Sequence, residues 1–200
     1  MNALQAALPW VLIILRVLLC PLIVLGASRS WSGTWLAAIV LAALLSDVYD
    51  GILARRWAGE TPTLRVSDSI ADTIFYLGVV WALWLRDPQV LRGNWIFFAA
   101  LFALEGFRYV FDLFKYRRTA SYHSYLAKFW GLLIAVTMVG VFAFNGFKPL
   151  VRAALIVGII VNLEGVAMSL LLPRWKNDVK TLERAWQLRK AMLAEQSRQH

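Results

Sequence analysis

Four aspartates in two pairs are the residues of this sequence best placed to do chemistry. Asp47 and Asp50 are spaced i, i+3, and Asp68 and Asp72 i, i+4; each spacing sets a pair on one face of a helix. Carboxylates gathered in this way repel one another unless cations neutralise them. Hard oxygen ligands with no His or Cys nearby suit Mg²⁺ or Mn²⁺, and two such ions balance four carboxylates. Between the pairs runs GILARRWAGETPTLRVS. Gly51 lets backbone come close to a ligand, Ala54 keeps the next turn of that face small, and Arg55 can grip phosphate oxygens through a bidentate fork. Metal ions, a close-approach glycine and an arginine together describe a pyrophosphate clamp, which stabilises charge in phosphoryl transfer.

The elements that carry these residues are membrane helices. The chain has 200 residues, of which 60% are hydrophobic and only 16% charged, with ten Trp, well outside the averages of soluble domains. Several apolar stretches reach the length of a membrane-crossing helix, about 17 to 25 residues, and six spans of helical length are expected, at roughly 9–27, 35–50, 67–85, 95–113, 129–144 and 150–172. None shows the alternation of a membrane β-barrel. The expected fold is all-α, one bundle of six transmembrane helices over 1–173, followed by a basic tail helix over 174–200. The N-terminus lacks a basic region and cleavage site, and Arg16 interrupts its first apolar run, so that segment is expected to stay as a membrane helix. Cys20 stands alone and offers neither a disulfide nor a cysteine metal site.

The net charge of +9 is better explained by charge asymmetry across a membrane than by nucleic acid, for which there is no basic stripe on a soluble fold. Lys and Arg counted by side favour both termini in the cytoplasm. With that orientation Arg16, Asp72, Glu105 and Glu164 all fall roughly 8 to 12 Å below the inner surface, and Asp47, Asp50, Asp68 and Arg108 lie shallower on the same side. Ionisable groups in a span are costly without a partner, an ion or a wet cavity, so clustering at one depth predicts a shared cavity. Isolated ion pairs, Glu105 with Arg108 for instance, are the alternative. After Pro173, Lys176, Lys180, Arg184, Arg189 and Lys190 mix with Val179, Leu182, Trp186 and Leu193 near helical spacing. That pattern suits a basic helix lying on anionic lipid or, alternatively, a solvated charged helix.

At the aspartates the sequence resembles the CDP-alcohol phosphotransferase (CDP-alcohol phosphatidyltransferase) family, whose motif runs DxxDGxxAR, eight residues, then GxxxDxxxD. Asp47, Asp50, Gly51, Ala54, Arg55, Asp68 and Asp72 fall in register. Pro9, Leu12, Arg16 and Pro21 match the family's PNxLTxxRxxxxP opening. Three positions depart: Leu64 replaces the motif's second glycine, and Trp10 and Ile13 replace the Asn and Thr of the opening. Family members hold the cytidine nucleotide beside that glycine. Leu64 therefore either narrows the nucleotide pocket or, if Thr61, Pro62 and Thr63 redirect the loop, packs against the helices or forms an apolar wall.

The resemblance implies a homodimeric six-helix enzyme with a cytoplasm-facing site, expected in the cytoplasmic (inner) membrane of a bacterium. It implies two Mg²⁺ or Mn²⁺ ions on Asp47, Asp50, Asp68 and Asp72, with Asp47, Gly51, Ala54, Arg55 and Leu64 around the nucleotide and pyrophosphate. It makes Asp72 the base that deprotonates the acceptor hydroxyl. A phosphatidyl group would pass from a CDP-linked lipid such as CDP-diacylglycerol to an alcohol or phospho-alcohol, releasing CMP, in phospholipid biosynthesis. Arg108, Lys115, Arg117, Arg118 and Lys128 gather where an inner loop could cover the site and bind an acceptor phosphate, unless the positive-inside rule alone placed them. His123 reads as an ordinary loop residue. Two other function classes stay open, a catalytically silent scaffold of the same family and an ion-coupled transporter with a carboxylate relay.

Overall fold

A computed structural model describes residues 3–53, 56, 61–118, 122, 124–176 and 179–197. Its elements are α1 (Ala3–Ser28), α2 (Gly33–Leu53), α3 (Pro62–Arg86), α4 (Pro88–Arg92), α5 (Trp95–Tyr116), α6 (Tyr125–Phe144), α7 (Lys148–Leu171) and α8 (Leu182–Ser197). Regular structure among the described residues is helical throughout. Five helical segments are long and apolar enough to cross a membrane: Ala7–Ser28, Gly33–Leu53, Val66–Arg86, Tyr125–Phe144 and Lys148–Leu171. The remaining expected span, 95–113, also forms a helix, but α5 carries Glu105, Arg108 and Asp112 along its length and falls outside that set.

The chain divides into two compact units. The first comprises residues 1–93 and 135–148. In it α1 packs against both α2 and α3, which touch each other little. Glycine permits a close approach of α1 to α3: a Cβ on Gly78 would stand 2.6 Å from Cys20 Sγ. Ile23, Leu36, Val79, Ala82 and Leu83 form the interior, while Val11, Ile14, Leu18, Leu41, Leu45, Leu77 and Trp81 point outward. Large apolar side chains over so much of the outer face suit a hydrocarbon solvent.

The start of α3 departs from the sequence expectation. The helix begins at Pro62 rather than near Ser67, because Thr61 caps it: the Leu64 amide donates to Thr61 Oγ1 at 3.2 Å and Pro62 occupies the first turn. A threonine cap followed by proline is a standard helix start. The Thr61–Thr63 segment, expected from the sequence to lie in a loop, is the cap and opening of the helix that carries Asp68 and Asp72.

The second unit comprises residues 94–134 and 149–200. Trp130 Nε1 donates to the Ala154 carbonyl at 2.8 Å, and its ring fills the space a Cβ on Gly158 would need. The tail helix is packed onto this unit: Val179 and Ala185 are buried with Tyr122, Met168 and Leu172. Of the tail's apolar residues, Val179 therefore serves the core, whereas Leu182, Trp186 and Leu193 remain exposed. The C-terminal carbonyls of α7 are capped by basic and phenolic side chains. Lys115 Nζ donates to Ser169 O at 2.5 Å, Tyr116 Oη to Ser169 O at 2.7 Å and Leu172 O at 2.8 Å, and Arg189 to Leu171 O at 3.1 Å.

Candidate metal centre

The central position of α1 in the first unit builds the site. Its Arg16 lies between the aspartates of α2 and those of α3, and its side chain is almost wholly buried, at 1% exposure. Nη1 lies 2.8 Å from Asp68 Oδ1, 2.5 Å from Asp72 Oδ1 and 3.4 Å from Asp47 Oδ1, while Nη2 pairs with Asp50. Nε reaches Ser46 Oγ at 3.4 Å, and that hydroxyl donates to the Ala43 carbonyl at 2.8 Å. The spacings along α2 and α3 thus aim each pair at one guanidinium.

Exposure divides the site into a floor and a rim. Asp50 is buried with Arg16, whereas the side chains of Asp47 and Asp72 are 43% and 35% exposed. One carboxylate oxygen from each of Asp47, Asp50 and Asp68 lies within 4.8 Å of the others. Oxygens that share one Mg²⁺ at about 2.0 to 2.1 Å stand no more than about 4.2 Å apart, so this trio could hold Mg²⁺ or Mn²⁺ with a small inward movement of the carboxylates, and its all-oxygen chemistry suits those ions. Asp72 faces the same guanidinium from the next turn of α3, outside the trio.

The other expected site residues are distributed differently. Gly51 continues α2 directly after Asp50 and is half-buried. Ala54, Arg55 and His123 lie outside the described residues. Leu64 is buried against Ile13 and Ala71, with Val17 beside them. Its side chain therefore packs onto α1, and two of the three departures from the family pattern, Ile13 and Leu64, touch each other. Replacing Leu64 with glycine empties this contact and is expected to lower stability by about 2 to 5 kcal/mol, the range of large-to-small core changes. Thermal unfolding with and without CDP checks this; tighter CDP binding with undiminished stability would contradict it.

Arg108, Lys115, Arg117, Arg118 and Lys128 belong to the second unit. Lys115 caps α7, Arg118 stacks over Trp175 at 5.5 Å, and Arg108 lies over Tyr109 at 5.7 Å and across Gly165. Arg117 ends α5 in a left-handed conformation, φ 57°, and it and Lys128 are exposed or partly so. Of the groups expected at one depth, Arg16 and the aspartates meet in the first unit, and Glu105, Arg108 and Glu164 belong to the second. A polar group that the sequence did not single out is also found there. Asp112, buried, accepts from Ser169 Oγ at 2.5 Å, and Ser169 Oγ is 3.0 Å from Tyr122 Oη. The signal for it was an acid four residues beyond Arg108 on the same helix face.

The sequence pattern of CDP-alcohol phosphatidyltransferases matches residues 6–171. Comparison with curated proteins and with solved structures gave no match. A match over most of the chain, with the motif aspartates gathered on one guanidinium, places the protein in the CDP-alcohol phosphatidyltransferase family, whose members are transferases of substituted phosphate groups and generally use divalent metal at an aspartate cluster.

Proposed function

We propose that the protein transfers a phosphatidyl group from a CDP-linked lipid such as CDP-diacylglycerol to an alcohol, releasing CMP, as a step of phospholipid biosynthesis. The observation that carries this reading is the convergence of Asp47, Asp50, Asp68 and Asp72 from two helices on one point. Asp47, Asp50 and Asp68, with Asp72 beside them, would hold two divalent ions, which when bound neutralise charge on the pyrophosphate. Asp72 takes the proton of the acceptor hydroxyl. The acceptor oxygen forms its bond to the lipid-side phosphorus as the bond from that phosphorus to the CMP oxygen breaks.

A lipid donor is supported by an apolar groove in the first unit, lined by Leu12, Leu15, Ala42, Leu45 and Tyr49 and including Ser46, the residue bonded to Arg16. In this reading α5 is a sixth span, both termini and the site face the cytoplasm of a bacterial inner membrane, and the protein is a homodimer. CMP release by the purified protein, with CDP-diacylglycerol against a panel of alcohols, tests donor and acceptor together. No CMP with any alcohol would favour a silent scaffold.

The acceptor is read as a phospho-alcohol, such as glycerol 3-phosphate or inositol phosphate, recognised by basic side chains. Changing Arg117 and Arg118 together to Gln is expected to raise the acceptor's KM about tenfold or more and to leave the donor's KM nearly unchanged. An equal effect on both substrates, or none, returns these arginines to membrane topology alone.

A further inference from the structure

Arg16 stands where a cation bridging α2 and α3 would stand. Its Nη1 alone lies within 3.4 Å of carboxylates from both helices, and the whole fork reaches all four aspartates. The trio of oxygens that fits a divalent ion is drawn from the same carboxylates. The geometry points to Arg16 as the built-in competitor of the divalent ion: it engages the oxygens an ion would take and must yield them when an ion binds, so it sets metal affinity. This inference rests on the metal-centre reading and deepens it.

Charge and geometry both support the assignment. The four carboxylates and one guanidinium carry a formal charge of −3, which still attracts divalent ions but less strongly than the carboxylates would alone. A positive charge a few ångströms from the ion opposes its binding by Coulomb repulsion, which is large where water is scarce. Arg16 is buried, so solvent does little to screen it. A guanidinium fork also engages several oxygens at once, whereas an ammonium is a compact point charge. Burying the acids without a cation would be strongly destabilising, which explains why the fold keeps a competitor in place.

An arginine with only a structural role would, when removed, lower stability equally with and without metal. A competitor gives a different pattern. In Arg16→Gln, the thermal midpoint in EDTA should fall below that of the wild type, while the gain on saturation with Mn²⁺ should be larger, because ligand stabilisation follows affinity. The Mn²⁺ dissociation constant, followed by the EPR signal of the free ion at fixed pH, should drop at least about tenfold. Arg16→Lys, which keeps the charge but holds fewer oxygens, should bind Mn²⁺ more tightly than the wild type and less tightly than Arg16→Gln. If Arg16→Gln does not fold, Arg16→Lys carries the test alone. Mn²⁺ affinity equal to or weaker than wild type in the folded variant overturns the proposal while leaving the metal centre standing. A wild-type protein that binds no Mn²⁺ brings down the metal-centre reading, and this inference with it.

Discussion

Asp72→Asn is expected to lower turnover by about 10² to 10⁴-fold, the usual contribution of a positioned general base, and to leave CDP bound. The amide matches the carboxylate in shape and can still accept a hydrogen bond from Arg16 Nη1, which lies 2.5 Å from Asp72 Oδ1. It cannot take a proton. Asp72 is also well placed to meet an acceptor, because its side chain is about one-third exposed, at 35%, whereas Asp50 lies on the floor at 6%. Titrating Mn²⁺ separates a base from a ligand. A variant that has merely lost a metal ligand regains activity as the ion is raised, while one that has lost the base does not. CMP release measured across a Mn²⁺ series, with CDP binding followed by thermal shift, makes the comparison. A wild-type rate in Asp72→Asn would remove Asp72 from the base role.

Chelation is expected to have the largest effect. Excess EDTA should reduce CMP release below detection, and Mg²⁺ or Mn²⁺ should restore it in full. Recovery is expected because Arg16 remains among the carboxylates when the ions are gone, so the helices keep a cation between them. The EDTA-treated protein should thus retain its helical circular dichroism spectrum while inactive. Undiminished turnover in EDTA would refute the two-metal reading, and irreversible loss accompanied by unfolding would show that Arg16 does not suffice to hold the empty centre.

Much of this site was legible because helical spacing is short-range. The i, i+3 and i, i+4 intervals of the aspartates fix their faces whatever the bundle does. Arg16 was visible as a charge inside the first apolar run and as part of the family's opening. Its contact with all four acids was not, since that depends on α1 lying between α2 and α3, a packing choice that periodicity does not encode. Leu64 shows the same limit. Its departure from the glycine pattern was plain in the sequence, but its contact with Ile13 joins residues from two helices. The early start of α3 could have been read from Thr61 and Pro62, whose cap chemistry is local. Lys115 was harder: a lysine near a helix end reads as a topology signal, and only the fold shows it bonded to the carbonyls of α7.

The order of charges along the chain bears on how the protein is made. Arg16 precedes Asp50 by 34 residues and Asp72 by 56, so during synthesis the basic helix reaches the bilayer before either acidic one. An unpaired aspartate at the centre of a span costs about 2.5 kcal/mol or more, and less towards its end. Here α2 would arrive beside a resident positive charge, and α3 would follow into the same pairing. Reversing that sequence, with acids first and the arginine last, would leave α2 and α3 exposed to the translocation machinery with their charges unmatched. Inserted in chain order, the first helix would present its charge before the two helices whose acids it pairs with.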